Sequence, residues 1–564
     1  MKNESDWLEL IRQQRQVGQI AQSIDTCREA ISSGLDNARL YAQLAHSLKL
    51  IGQRKEARHA YEKALLLDPD YAFTYRSYGA MLATIPQAYS KAELILHKGL
   101  ALAPDDVGMW TSLGNVYSQT GRMDQALMCY QKAQTIQPND PLPAVAYLFA
   151  LNYLPDTTAE QIYMQAKKIG TLLQNQVSKP YEHALFNCSE KYLSRPSKLK
   201  IGFVSPDLHN HPVGYFLDNG LQFLDKDHFE WYAFSNRDKD DITRRSLKCS
   251  FNSWVDVGFL NNAEVAQRIH EQGIHILIDL AGYTSHGLIG AFAYRPAPVQ
   301  INWLGWFATT GLKSMDYLLT DAYSTRGMEA FFTEQLVELP HTRLCMTPPT
   351  AEPVTELPAK NNGFITFGCV QNLAKINDQW LQLWGDILRA IPTARLRIQN
   401  KQFKQSTQRT LFLKRSQQLG LPIERVQLLP PSERESYLKS LSEIDILLDT
   451  YPYTGGTTTA EALWMGVPTL TRVGQTMIAR QGGSLLHTAG LDEWITHSDQ
   501  AYIEQAIVWS QRLDELAQLR KNLRNRVAQS PLFDAQRFAR DLESCLNGLW
   551  DRYVQSQTDK EPLR

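Results

Sequence analysis

The chain has 564 residues, 43% hydrophobic and 21% charged, with a net charge of −1. That is material for two to four globular domains, with no overall field to draw the protein to nucleic acid or an anionic membrane. Seven scattered cysteines, without a Cys-x-x-Cys pair or a Cys/His cluster, argue against structural zinc and a disulfide framework. The N-terminal Met1–Gln14 is polar and amphipathic, unlike a signal peptide, and no run reaches the ~18 apolar residues of a membrane span. A cytoplasmic protein with neither nucleic-acid nor membrane partners is expected.

Residues 4–140 are periodic. Tyr41, Tyr75 and Trp110 lie 34 and 35 residues apart and each opens a similar unit. The clearest unit runs Trp110, Leu113-Gly114, Tyr117, Ala126, Tyr130, Ala133, Pro138. The one before it has Tyr75, Tyr78-Gly79, Ala92, Leu96, Gly99 and Pro104, with one extra residue. Tyr41 opens another, through Ala57, Tyr61, Ala64 and Pro69, and a degenerate unit starts at Trp7. This is the tetratricopeptide pattern. Small residues let paired helices pack closely, aromatic residues fill the gaps, and prolines close each second helix. Stacked units form a superhelix whose groove suits a protein or peptide partner. The other use of such an array is as a spacer or a homodimerisation arm.

Residues 141–197 read as a mainly helical bridge, with helical spacing over Ala144–Tyr153 and Ala159–Asn175 and a boundary loop at Tyr192–Ser197. From Leu199 short β-rich runs alternate with helical stretches, which predicts parallel sheets covered by helices. Strands are expected at Leu199–Val204, Trp231–Ser235, His275–Leu280, Val299–Trp303 and Tyr317–Leu319. After the proline-rich Thr347–Pro358 they resume at Phe364–Cys369, Arg395–Gln399, Val426–Leu429, Ile444–Leu448 and Thr469–Thr471. The expected class is therefore α followed by α/β, with two Rossmann-like domains over 198–350 and 358–550 and a cleft at their strand C-terminal ends.

Several segments fall at those ends. Ser205–Gly214 carries His209 and His211, and a histidine there can act as a general base. Gly305 follows a strand whose entry is fixed by Pro296 and Pro298, and its backbone N–H is a candidate donor to a sugar. In Phe367–Ile376, Lys375 can neutralise a phosphate as a point charge. In Leu429–Tyr437, Arg434 and Tyr437 offer planar surfaces to a nucleobase. Ile446–Pro468 reads as buried strand, glycine loop and helix N-terminus, whose unpaired N–H groups and dipole suit a diphosphate. Glu461, one turn in, is placed to accept from a ribose hydroxyl. Arg480 lies after the last strong strand. Asp225/Asp227 and Asp238/Asp240 have metal-binding spacing but sit in very polar loops, so no metal is expected. Diphosphate charge then falls to Lys375 and the Thr457–Thr459 turn.

Tetratricopeptide repeats followed by these motifs resemble the protein O-linked N-acetylglucosamine transferase family, including its SPINDLY branch. The motifs are His211-Pro212-Val213-Gly214, Arg295–Gln300, Asn372–Ile376 and Leu447–Pro468. The resemblance implies a GT-B fold and an inverting, metal-independent transfer. It gives His211 the position beside sugar and acceptor, Lys375 and the paired Thr457 and Thr458 the diphosphate, Glu461 the ribose, Asn372 a nucleotide contact, and Arg434 and Tyr437 the base. Animal members carry histidine before the paired threonines, where this chain has Gly456. UDP-N-acetylglucosamine is the expected donor, with GDP-fucose and UDP-glucose as SPINDLY-like alternatives. The acceptor is expected to be a protein Ser or Thr held by the repeat groove, the rivals being a glycan or small-molecule acceptor and a non-catalytic scaffold.

Overall fold

The structure is a computed structural model that describes residues 3–183 and 196–558; most of the boundary loop expected at Tyr192–Ser197 lies outside the described residues. The chain divides into two compact units, 1–150 and 151–564.

Among the described residues the first unit is built from four helix–turn–helix pairs, followed by the helix Pro141–Leu151 at its end. The pairs are Glu4–Gln16 with Ile20–Ser32, Ala38–Leu50 with Arg54–Leu67, Ala72–Leu82 with Tyr89–Leu102, and Val107–Gln119 with Met123–Ile136. Pro69, Pro104 and Pro138 each stand two residues beyond the end of a second helix, where a proline stops further winding. The glycines mark the closest approaches. A Cβ on Gly79 would meet Leu96, and one on Gly114 would meet Tyr130. The extra residue of the third unit falls by the short 3₁₀ turn Pro86–Ala88, which leads into the helix at Tyr89.

The second unit holds two parallel sheets. The first comprises β1 Leu199–Val204, β2 Phe229–Ser235, β3 Ser253–Asp256, β4 Ile276–Asp279, β5 Val299–Asn302, β6 Tyr317–Thr320 and β7 Gln335–Glu338, in the order β3-β2-β1-β4-β5-β6-β7. The second comprises β8 Thr366–Cys369, β9 Arg395–Gln399, β10 Val426–Leu429, β11 Ile446–Leu448, β12 Thr469–Arg472 and β13 Ile495–Thr496, in the order β10-β9-β8-β11-β12-β13. Every strand pair is parallel. Strand order reverses between β1 and β4 in one sheet and between β8 and β11 in the other. Such switch points open a crevice beyond the strand ends.

Strands β3, β7 and β13 are absent from the expected set. All three are short edge or near-edge strands without a fully buried face, so they lack the apolar run that marks a central strand.

Two helices depart from their place in the sequence. The helix Ala159–Gln174, within the expected bridge, starts in a Thr158/Gln161 capping box and docks on the first sheet's loops, where Gly170 packs directly on the backbone of Gly311. The last helix, Ala535–Thr558, follows the second sheet in sequence but returns to the first. Phe538 stacks on Trp303 at 5.9 Å, and His341 Nδ1 lies 2.7 Å from Asp541. The two sheets are thereby tied into one unit.

Because the Gly311 carbonyl cannot yield as a flexible side chain would, Gly170→Ala should lower stability by ~1–3 kcal/mol in urea unfolding. Gly548→Ala, a helical position whose Cβ would meet nothing within 4 Å, should be neutral or stabilising by up to ~1 kcal/mol. Equal effects of the two changes would refute the backbone-contact account of Gly170.

Candidate active site

The apolar strand β11 ends at Asp449, whose side chain is fully buried. Its Oδ1 accepts from the backbone N–H groups of Thr450 and Gly455, each at 2.8 Å, and from Gln371 Nε2 at 3.3 Å. Its Oδ2 accepts from Thr471 Oγ1 at 2.7 Å. Burial pushes its carboxyl up to about 6, against the opposing pull of Thr471, Lys375 and the two N–H groups. One carboxylate thus ties the loop after β11 to the segment after β8 and to β12.

Gln371 carries the tie onward. Its Nε2 also donates to Thr458 Oγ1 at 2.8 Å, and its Oε1 accepts from Lys375 Nζ at 3.1 Å. Lys375 Nζ further donates to the Thr454 carbonyl at 3.3 Å and sits 4.0 Å from the centre of the Tyr453 ring. Burial lowers its ammonium to about 8, with Asp449 acting in the opposite sense. The helix Thr457–Trp464 begins beside it, with Gly456 as N-cap and no capping side chain, so its first amides remain open to an anion. Lys375, Thr457 and Thr458 are therefore gathered at the ends of the two central strands β8 and β11.

Glu461 is 2% exposed and pairs with Arg434 Nη1 at 2.6 Å. Tyr437 is packed against it, burial and the Glu461 charge raising the phenol well above its ordinary range. Three of the expected residues, Glu461, Arg434 and Tyr437, thus meet one another. Asn372 caps the 3₁₀ turn Leu373–Lys375, its Oδ1 accepting from Ala374 N and Gln402 Nε2. With Gln371, Asn400, Pro431 and Tyr437 it lines a cavity of about 260 Å³, suited to one ring and its attachment rather than a whole nucleotide sugar.

The first sheet supplies the facing wall. His211 is the N-cap of the helix Pro212–Leu221, its Nδ1 accepting from Val213 N at 3.4 Å and lying 3.7 Å from Asp207 Oδ2. That contact fits the tautomer with its proton on Nε2, in which Nε2 is a donor. Desolvation, helped by His209, Lys239 and Arg237, lowers the ring to about 4, which further weakens it as a base. One turn on, Tyr215 receives the Arg434 guanidinium 3.9 Å from its ring centre. A second bridge runs from Phe307 to Tyr453, ring centres 4.9 Å apart, and so to Lys375. The two walls therefore meet through Tyr215–Arg434–Glu461 and Phe307–Tyr453–Lys375.

Two expected residues are engaged elsewhere. The Gly305 N–H donates to the Trp303 carbonyl at 3.0 Å, and the glycine is required because a Cβ would strike the Leu280 carbonyl. The amide proposed for a sugar is thus already used. Arg480 turns to the carbonyls of Gly474 and Arg326, at 3.1 and 2.7 Å, and so joins the two walls. Among the described residues no group of three metal-ligating side chains forms; Asp225 binds His228 at 2.6 Å, and Asp238 and Asp240 face Arg244 and Arg245 at 3.5 and 3.4 Å. No helix among the described residues is long and apolar enough to cross a membrane.

The model of glycosyl transferase family 41 matches residues 133–346 and 352–542. The chain belongs to that family. Its fold is GT-B-like, behind repeats that match tetratricopeptide models over residues 38–71 and 109–140. A solved point mutant of the Thermobaculum terrenum O-GlcNAc transferase is 30% identical, with a TM-score of 0.84 over 92% of this chain and 98% of that one. Proteins named "Probable UDP-N-acetylglucosamine--peptide N-acetylglucosaminyltransferase SPINDLY" are 36% identical, over 72% of the chain in Solanum lycopersicum and 76% in Oryza sativa subsp. japonica. The chain spans less than half the length of those two relatives, 44% and 46%.

The residues that sequence reasoning passed over are Asp449, Gln371, Asp279 and Tyr215. A carboxylate closing the apolar run Ile446–Leu448 was the available signal for Asp449. Asp279 repeats it at the end of β4, where it accepts from Ala281 N at 3.2 Å and Gly282 N at 2.7 Å while burial raises its carboxyl to about 7.

The protonated Lys375 is the anion-binding form, and its population falls as pH rises through about 8. Affinity for a nucleoside diphosphate, followed by calorimetry, should hold below that pH and decline above it by up to about tenfold per unit. Lys375→Arg should abolish the decline between pH 8 and 10; an unchanged profile in that variant would remove Lys375 from the anion site.

Proposed function

We propose that this family 41 chain transfers a sugar, N-acetylglucosamine from UDP-N-acetylglucosamine, to a Ser or Thr hydroxyl of a protein presented by the repeat array. The observation that carries the proposal is the convergence of the Lys375 ammonium with the uncapped Thr457–Trp464 helix, opposite a wall bearing His211. The names of the relatives support the donor and a peptide acceptor.

The acceptor oxygen attacks the anomeric carbon in line as the bond from that carbon to the diphosphate oxygen breaks, inverting the centre. The departing diphosphate gains charge, and preorganised donors stabilise that charge without reorganising. Lys375 supplies one such donor; the backbone N–H groups and hydroxyls at Thr457 and Thr458 supply others. Because His211 Nε2 donates, its role is to orient the sugar or acceptor, and the hydroxyl proton passes to an oxygen of the leaving phosphate. Glu461, shared with Arg434, holds the ribose, and the cavity of Asn372 and Tyr437 takes the base. No residue in this scheme calls for a metal ion.

Purified protein incubated with UDP- and GDP-sugars and candidate acceptor proteins, read by intact mass, should show transfer from UDP-N-acetylglucosamine. Lys375→Ala should lower turnover ~10²-fold or more, as for loss of one electrostatic donor. Transfer at the wild-type rate by that variant would overturn the assignment, and preference for GDP-fucose would overturn the donor.

A further inference from the structure

The helix Met477–Thr488 runs beside the glycine loop and contributes a side chain that the scheme above leaves unused. A Cβ on Gly456 would fall 2.7 Å from Gln481 Nε2 and 3.3 Å from its Cδ, so the amide of Gln481 occupies the space a side chain at 456 would take. Its orientation is determined. Arg343 Nη2 approaches the other end at 3.0 Å, and a guanidinium can only donate, so the atom it meets is Oε1 and Nε2 faces Gly456.

Arg343 reaches across from the first sheet and is itself 1% exposed. It is held by Asp321 at 3.8 Å and Ser324 Oγ at 3.4 Å, and Asp321 also accepts from Ser484 Oγ at 3.0 Å, one turn beyond Gln481. Two contacts thus fix this face of the Met477–Thr488 helix against the first sheet. Among the described residues Gln481 is hydrogen-bonded through Oε1 alone, and buried Nη1 of Arg343 has no partner. A polarised amide donor is therefore presented beside the residue that opens the Thr457–Trp464 helix, where the backbone N–H groups are also unpaired.

We infer that Gln481 is a further substrate-binding residue: its Nε2 donates to an oxygen of the nucleotide sugar at the Thr457 turn, and Arg343 fixes its orientation. The inference rests on the donor site proposed above. Gly456 follows from it, since any side chain there would displace the amide.

Calorimetry of the full chain with UDP and with UDP-N-acetylglucosamine tests this on wild type, Gln481→Glu and Gln481→Ala, with melting temperatures as the check on folding. Glu keeps the size of the side chain and a partner for Arg343 but replaces the donor with a charged acceptor, so a purely structural role would survive it. The expected result is at least about tenfold weaker binding for Gln481→Glu and a few-fold loss for Gln481→Ala. A loss on both ligands places the contact on phosphate; a loss on the nucleotide sugar alone places it on the sugar. Wild-type affinity in Gln481→Ala would overturn the inference while leaving the donor site standing, even if Gln481→Glu were weakened by its charge. Failure of the wild type to bind either ligand would overturn the inference together with the UDP-sugar reading on which it rests.

Discussion

The buried carboxylate of Asp449 is the constraint on which the proposed donor half of the cleft depends. A charge taken from water must be compensated by hydrogen bonds. Here the donors are the amides of Thr450 and Gly455, the hydroxyl of Thr471 and the amide of Gln371. Satisfying that single group fixes the shape of the loop 449–456 and its distance from both neighbouring strands. The order imposed on Gln371 then reaches Lys375 and Thr458 without either touching Asp449 directly. Glycine at 482 belongs to the same arrangement, because a Cβ there would lie 2.6 Å from Asp449 Oδ2.

This architecture separates two tasks. The second sheet brings together an ammonium and a helix N-terminus, held by hydrogen bonds to Gln371, the Thr454 carbonyl and the Asp449 carboxylate. The first sheet provides a histidine fixed by its own capping bond and an aromatic wall. The walls are joined by contacts whose members also belong to the site, Tyr215 on Arg434 and Phe307 on Tyr453. Arg434 is the clearest case, since it stacks on one wall and neutralises Glu461 in the other.

The repeat array and both sheets were legible because each is written as a period. The recurrence of Tyr41, Tyr75 and Trp110 marks helix pairs, and apolar runs such as Ile446–Leu448 mark strands buried on both faces. Strands β3, β7 and β13 were not legible, since an edge strand needs no apolar run. The return of Ala535–Thr558 to the first sheet was also hidden, because an amphipathic helix does not say which surface it covers. Within the site, Lys375, Thr457 and Thr458 could be picked out by charge and by place in a strand–loop–helix pattern. Asp449 carried one local signal, a carboxylate closing the apolar run Ile446–Leu448, but the partners of Asp449 and Gln371 lie in long-range hydrogen bonds that no local spacing encodes. Gly305 and Arg480 show the converse: the Gly305 N–H and the Nε and Nη1 of Arg480 already donate to backbone carbonyls.

A structure of the protein with a nucleoside diphosphate bound decides whether the corner between Lys375 and the Thr457 turn is the anion site. Phosphate oxygens are expected on the backbone amides of Thr457 and Thr458 and within hydrogen-bond distance of Lys375 Nζ, with the base in the cavity lined by Asn372 and Tyr437. Diphosphate bound elsewhere, or a Thr457 turn left empty with ligand in excess, would contradict that assignment.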